Sequence, residues 1–333
     1  MKATGFPEKI RVSIGSAMAL GLKNCWTDVK PTTAYLLLGR KSKCLANCGF
    51  CPQAKHSNSR ADMLSRVTWS EFSIKEVVLS IENAVKQNKI KRICIQSLNY
   101  PQVLADVLKL TKEIRSKVQT PISVSCKPLN KEKMNQLLQT GVDRISIALD
   151  AATEEIFKKT KGTNVNGPYK WTEHHEALQE AINVFGSGFV STHLIVGLGE
   201  TEEEMCQIIQ WCVDSGIYPA LFAFTPIVGT LLENNPEPPL SKYRRVQVAQ
   251  WLLTQKKSNI ENMKFDNNGQ IISFGASKEE SSKAIQSGAP FQTSGCPDCN
   301  RPYYNEKPSG PFYNYPRPLT AKEAEKERKA LGF

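Results

Sequence analysis

Short apolar runs alternate with helix-period stretches along this chain, and that alternation restricts the fold more than any other feature. Runs at residues 33–38, 92–96, 122–125, 144–149, 189–196 and 220–224 read as buried strands by their length and apolar content. Helical spacing occupies 103–117, 131–139, 171–185 and 240–255. Two further helices announce their starts: Ser73 with Glu76 ahead of Val77, Val78, Ile81 and Val85, and Thr201 with Glu204, both at capping-box spacing. Strand–helix repetition of this kind predicts a parallel sheet with right-handed crossovers. A closed eight-unit barrel normally takes about 250 residues. Six strands therefore predict an α/β chain built as a partial (β/α)6 TIM barrel, open on one side, with its functional groups on the loops after the strands. A doubly wound sheet would carry a glycine-rich fingerprint after its first strand, whereas a cysteine loop stands there. The expected division is an N-terminal extension at 1–30, the barrel at 31–265 and a C-terminal extension at 266–333. Within that extension, residues 293–318 are rich in proline and aromatics and read as an ordered irregular segment.

The loop after the first strand is Cys44-Leu-Ala-Asn-Cys48-Gly-Phe-Cys51. Three thiolates at this spacing fill three corners of a [4Fe-4S] cube and leave the fourth iron without a protein ligand. That is what a cluster needs in order to chelate and reduce a small molecule. Structural zinc prefers four protein ligands, and His56 is the one nearby histidine to complete such a set.

No apolar run approaches the roughly 18 residues that would cross a bilayer. The apolar stretch at 16–22 is short and followed by Lys23, so no signal peptide is legible. A cytoplasmic protein is expected, and in a reducing compartment clustered cysteines point to metal or redox chemistry rather than disulfides. Of the ten cysteines, a second group is Cys296-Pro-Asp-Cys299, a CxxC that presents two thiolates to one metal. Cys25 precedes the barrel and would join them if the C-terminal segment crossed the open barrel end. The three would then hold an auxiliary [4Fe-4S] cluster, with Ser294, Asp298 or sulfide as the remaining ligand. Cys94 and Cys126 on strands read equally well as small buried hydrophobes, and Cys206 and Cys212 read as helix core. The formal charge of +11 is spread along the chain, compatible with solubility, an acidic partner or nucleic acid. No segment interleaves basic residues with aromatics as common RNA-binding modules do.

CxxxCxxC with Phe50 before the last cysteine resembles the signature of radical S-adenosylmethionine enzymes. Cys51-Pro-Gln-Ala, Ile93-Cys-Ile-Gln-Ser-Leu-Asn-Tyr-Pro, Ile195-Val-Gly-Leu-Gly-Glu-Thr201 and Thr225-Pro-Ile-Val-Gly-Thr230 resemble the biotin synthase group within them. The resemblance implies that Cys44, Cys48 and Cys51 hold a catalytic [4Fe-4S] cluster whose open iron binds S-adenosylmethionine. It also implies that Asp150 holds the ribose hydroxyls, although an Asp here suits a helix N-cap equally well. Phe50, His174 and Gly197 join Asp150 as expected cofactor-binding residues; His174 either stands where relatives carry a basic residue near the methionine carboxylate or simply opens a helix in solvent. Two departures argue against biotin synthase itself. The second cluster of that group would match Cys94 and Cys126, but its third cysteine falls at Ser191, and no arginine stands near residues 265–269.

With its Gly295-Cys-Pro-Asp-Cys-Asn-Arg-Pro-Tyr-Tyr-Asn305 tail, the chain resembles the archaeal-type two-protein lipoyl synthases. That resemblance implies sulfur insertion into an octanoyl chain on a carrier-protein lysine, a homologous second protein, an electron donor such as ferredoxin, and no nucleic-acid or membrane partner. The competing readings are a biotin-synthase-like enzyme of another kind (other sulfur insertion, mutase or cofactor assembly) and a metal-stabilised RNA-binding or scaffold protein. His193 faces substrate or is a core histidine, and Tyr303, Tyr304, Tyr313 and Tyr315 line an acyl channel or pin the tail.

Overall fold

The computed structural model describes residues 5–40 and 42–331. The first four residues of the expected N-terminal extension, Lys41, and the last two residues of the C-terminal one lie outside the described residues. The order of elements begins β1 (Lys9–Ser13), α1 (Ile14–Ala19), β2 (Thr33–Leu38), β3 (Met63–Leu64), β4 (Val67–Ser73) and α2 (Ile74–Lys86). It continues β5 (Arg92–Ser97), α3 (Val103–Arg115), β6 (Ile122–Cys126), α4 (Lys131–Gln139), β7 (Arg144–Ile147), α5 (Glu154–Thr160) and α6 (Trp171–Phe185). It ends β8 (Val190–Val196), α7 (Glu202–Asp214), β9 (Tyr218–Ala223), α8 (Leu240–Thr254), β10 (Lys264–Phe265), β11 (Ile271–Ser273), α9 (Lys278–Ser287) and α10 (Ala321–Ala330).

The main sheet runs β3-β4-β1-β2-β5-β6-β7-β8-β9. From β2 to β9 every pairing is parallel, so the six expected strands form a curled partial barrel. All six residues of β2 are buried, as a parallel strand covered on both faces requires. The edge beyond β2 is antiparallel and was not legible as part of the repeat. There β1 pairs with both β2 and β4, so the N-terminal segment contributes to the barrel's own sheet. These strands are short or alternate a buried Trp69 with exposed polar residues, a pattern outside the strand–helix period.

Side-chain caps explain where several helices start. The Ser73 hydroxyl accepts the Glu76 N–H at 3.2 Å to open α2. At α7 the bond is reciprocal, the Thr201 hydroxyl accepting from the Glu204 N–H and the Glu204 carboxylate from the Thr201 N–H. The C-terminal segment wraps the sheet. From 293 to 305 it has no helix or strand, and it spans the gap between the two sheet edges. The Leu221 N–H donates to the Ser294 hydroxyl at 2.8 Å, and the Asn305 amide donates to the Ala223 carbonyl at 2.8 Å, both on β9. On the opposite edge the Ser65 hydroxyl donates to the Tyr304 carbonyl and Arg66 to the Glu306 carbonyl. Beyond it, the fully buried Arg244 of α8 pins the tail, donating to Glu327 at 2.7 Å and to the Tyr313 carbonyl at 2.6 Å. Tyr313 and Tyr315 are buried packing residues, bonded to the Pro238 carbonyl and Glu327. No helix of the described residues is long and apolar enough to cross a membrane.

Candidate functional site

The curled sheet and the tail line a cavity of about 570 Å³. Its walls carry Cys44, Cys48, Cys51, Phe50, Asp150 and His174 of the expected site, together with Cys296 and Cys299 from the tail. One end is the cysteine loop. Its backbone is tied by the Cys51 N–H to the Cys48 carbonyl at 3.0 Å and by the Gly49 N–H to the Thr160 carbonyl at 2.7 Å. Beneath it Arg11 of β1 donates to Gln53 at 3.0 Å and to the Ala61 carbonyl at 2.6 Å. The Cys44 sulfur receives the Asn99 and Ala46 N–H groups at 3.2 and 3.4 Å. Burial pushes the Cys48 thiol well up and the Cys51 thiol up to about 12. Such thiols ionise when a bound cation replaces the lost hydration, as a cluster iron does. Among the described residues no three His, Cys, Asp or Glu side chains converge on a single-ion site.

The middle of the cavity is charged. Asp150 lies three residues beyond β7, in the left-handed region at φ 68°, an uncommon conformation for a non-glycine residue. Its N–H donates to the His193 carbonyl at 2.7 Å. It does not cap α5; the Thr153 hydroxyl does, accepting from the Ile156 N–H. The Asp150 carboxylate instead receives Lys161 at 2.7 Å, with both side chains at most 10% exposed. Lys161 sits under Phe157 and Tyr169 and within electrostatic reach of Cys48. Sequence reading missed it. The signal was weak, a lysine ending a short helix that lies off the regular repeat.

His174 is neither solvated nor a cation. It is 1% exposed, its Nδ1 lies 2.9 Å from the Lys170 carbonyl, and its pKa is lowered to about 3 by burial and by the Lys161 charge. The basic group near the cysteine loop is Lys161. Gly197, expected to touch cofactor, does not line the cavity. Its N–H is donated to Glu200 at 2.8 Å, and at φ +107° an added Cβ would meet Pro238 at 3.0 Å, so the glycine serves a tight turn. His193 does line the cavity, its Nε2 3.3 Å from the Ser146 hydroxyl.

At the opposite end the CxxC pair meets the sheet. Tyr35 Oη is 3.3 Å from Cys299 Sγ, and the Ser123 hydroxyl donates to Cys296 Sγ at 3.5 Å. Cys25, expected beside this pair, is exposed and does not line the cavity; the chain there runs along the rim, where Trp26 is 86% exposed. Cys94 and Cys126 line the cavity, and Ser191 stands in the same wall. Cys206 and Cys212 are fully buried in the helix–sheet core.

A sequence profile of the radical SAM superfamily matches residues 41–212. Among curated proteins, biotin synthase from Streptococcus agalactiae is 26% identical over 194 residues, covering 56% of this chain and 53% of that protein. Biotin synthase from Methanococcus maripaludis is 25% identical over 215 residues, covering 64% of this chain and 62% of that one. The matched stretches thus span less than two thirds of these relatives. Among solved structures, the FeFe-hydrogenase maturase HydG from Carboxydothermus hydrogenoformans superposes with a TM-score of 0.55 at 17% identity, over 67% of this chain and 51% of that one. Methylornithine synthase gives a TM-score of 0.52 at 13% identity, over 72% of this chain and 67% of that one. These two likenesses concern the fold alone. The profile covers more than half of the chain and includes the CxxxCxxC loop that the fold presents to the cavity, and the chain belongs to the radical SAM superfamily.

Proposed function

We propose that the protein is a radical S-adenosylmethionine sulfurtransferase that inserts sulfur into an octanoyl chain carried on a protein lysine. The observation that carries this reading is that two cysteine groups, the CxxxCxxC loop and the tail pair, line one cavity. Cys44, Cys48 and Cys51 would hold the [4Fe-4S] cluster, and the cysteines at the far end an auxiliary one. With S-adenosylmethionine bound, these groups supply a radical that removes a hydrogen atom from an unactivated C–H, and sulfide to take its place.

The chain's own residues do the rest. Asp150, oriented by Lys161, offers its free carboxylate oxygen to a ribose diol. Lys161 brings a buried positive charge near Cys48, where a carboxylate of the cofactor would sit. Phe50 supplies an apolar surface beside the cluster loop. Phe222 and Tyr304, stacked edge to face at 5.6 Å, give an apolar wall suited to an alkyl chain and exclude water from a reactive radical. The net charge of +11 favours an acidic carrier domain by raising the encounter rate.

The test is an anaerobic incubation with a strong one-electron reductant, S-adenosylmethionine and an octanoyl-lysyl peptide, with and without a homologous partner protein, read by peptide mass. Sulfur-containing peptide supports the reading. Reductive cleavage of S-adenosylmethionine without sulfur in the peptide under either condition refutes it, and supports a biotin-synthase-like enzyme of another kind. The presence of Ser191 at the cavity wall, where that group's third cluster cysteine would fall, favours the tail as the source of auxiliary ligands.

A further inference from the structure

The strand register identifies a third thiol beside the tail pair. Across the sheet Tyr35 of β2, Cys94 of β5, Ser123 of β6 and Arg144 of β7 form one row of directly paired residues, and all four line the cavity. Neighbouring strands stand roughly 4.8 Å apart. Cys94 therefore lies between Tyr35 and Ser123, and each of these two touches one thiol of the CxxC. Tyr35 Oη approaches Cys299, and the Ser123 hydroxyl donates to Cys296.

Both hydroxyls are oriented the same way. Tyr35 Oη accepts the Arg301 N–H at 3.0 Å, which leaves its hydrogen for the Cys299 sulfur. Ser123 accepts Arg92 Nη1 at 3.0 Å and donates to Cys296. Both sulfurs thus meet a hydroxyl donor on the side facing the sheet.

Guanidinium groups surround the same point. Arg301 and Arg92 act electrostatically on Cys94 and Cys299, and Arg144 is coupled to Cys296. Arg92 also clamps the loop by donating to the Pro297 carbonyl at 2.8 Å. Arg301 lines the cavity stacked 3.8 Å over the Phe222 ring, yet its Nε is buried with no partner. The loop that delivers these groups is strained, with Asp298, Arg301 and Tyr303 all in the left-handed region. Strain at non-glycine positions persists where a site needs the geometry. Gly295 leaves room for it, because a Cβ there would lie 3.2 Å from Cys299 Sγ. Positive charge gathered around these three cysteines suits an anion, and three thiolates on an iron–sulfur core carry net negative charge.

We propose that Cys94, Cys296 and Cys299 form a second iron–sulfur site, with Arg301 facing its open side, and that Cys25 takes no part in it. On binding, each thiol gives its proton to solvent and its sulfur to iron. Asn99, whose N–H reaches Cys44, lies past the C-terminal end of β5, whereas Cys94 lies within that strand nearer its start, so the two sites are separated along β5. The proposal rests on the auxiliary cluster of the sulfur-insertion reading. Because it is measured without substrate, failure of that reading and failure of this ligand set are distinguishable.

The experiment uses the full-length protein carrying Cys44→Ala, Cys48→Ala and Cys51→Ala, reconstituted anaerobically with ferrous iron and sulfide. About four irons and four sulfides per chain are expected to remain, the complement of one [4Fe-4S] cluster. Adding Cys25→Ala should leave that content unchanged, and adding Cys94→Ala should remove most of it. Alkylation of the folded, reconstituted protein, mapped by mass spectrometry, gives a readout independent of any further substitution. Cys25 should label fully, while Cys94, Cys296 and Cys299 label only after chelation. Retained iron in the Cys94→Ala protein, labelling of Cys94 in the loaded protein, protection of Cys25, or a site that takes zinc in place of iron and sulfide would each overturn the proposal.

Discussion

Removing the Lys161 ammonium should destabilise the fold far more than a surface charge would. The Lys161–Asp150 pair is 2.7 Å long, with side chains only 6% and 10% exposed, and Lys161 also donates to the Ala148 carbonyl. Met in its place keeps the apolar stem against Phe157 and Tyr169 but strands a carboxylate in the cavity wall. Breaking a buried pair by removing one partner costs about 3–5 kcal/mol. At about 2–4 °C per kcal/mol for a large domain, Lys161→Met should lower the melting temperature by roughly 6 °C or more. Asp150→Asn strands the ammonium instead and should cost a similar amount. The double variant should cost no more than either single one, because no unpaired charge is left. Urea unfolding of the metal-free protein at pH 7 measures all three and closes the cycle. The reasoning is refuted if Lys161→Met costs less than about 1 kcal/mol, or if the two single costs simply add in the double variant.

The neutral, buried His174 makes acid destabilising. Its folded pKa, about 3, lies below the 6.5 of the free side chain, so between these values the unfolded chain binds a proton that the folded one refuses. Stability should fall by up to about 1.4 kcal/mol per pH unit as pH drops through that window, and His174→Gln should flatten the acid limb of a urea-midpoint profile. Gly229→Ala should disturb the cysteine loop from outside it. At φ +84° its Cβ would lie 2.4 Å from the Ser59 nitrogen, and the Gly229 carbonyl accepts the Asn58 N–H and the Ser57 hydroxyl at 2.8 and 3.0 Å. A loss of about 2 kcal/mol or more and lower iron uptake by an otherwise intact CxxxCxxC loop should appear together in melting and iron assays. Cys206→Ala and Cys212→Ala should cost about 1 kcal/mol each through small cavities and leave iron content unchanged; loss of iron in either would assign those thiols to a cluster.

The legible part of the fold is the part with a period. Six buried strands announce themselves as apolar runs, and α4 and α6 fall where helical spacing put them. β1, β3 and β4 escaped because short strands with polar faces have no strong local pattern. The capped helix α5 is only seven residues long, too short for a 3.6-residue period to declare itself. At the site, the CxxxCxxC loop was readable because its three ligands are neighbours in sequence, as was the likeness at Asp150. His174 and Gly197 show the limit of residue type, which does not reveal whether a side chain will be buried neutral or an N–H already given away. Cys25 was a choice by elimination.

Sequence by itself determined the local chemistry: a loop with three thiols in eight residues, a second pair at CxxC spacing, and the strand–helix repeat that holds the first. Tertiary structure alone decided which distant residues share a site. Strand register sets Cys94 between Tyr35 and Ser123, and the tail, pinned by Arg244 and closing the gap between two sheet edges, brings Cys296, Cys299 and Arg301 to that row. Ligands adjacent in the chain are constrained by covalent spacing. Those some 200 residues apart are brought together only by hydrogen-bonded register and by the burial that holds the tail in place.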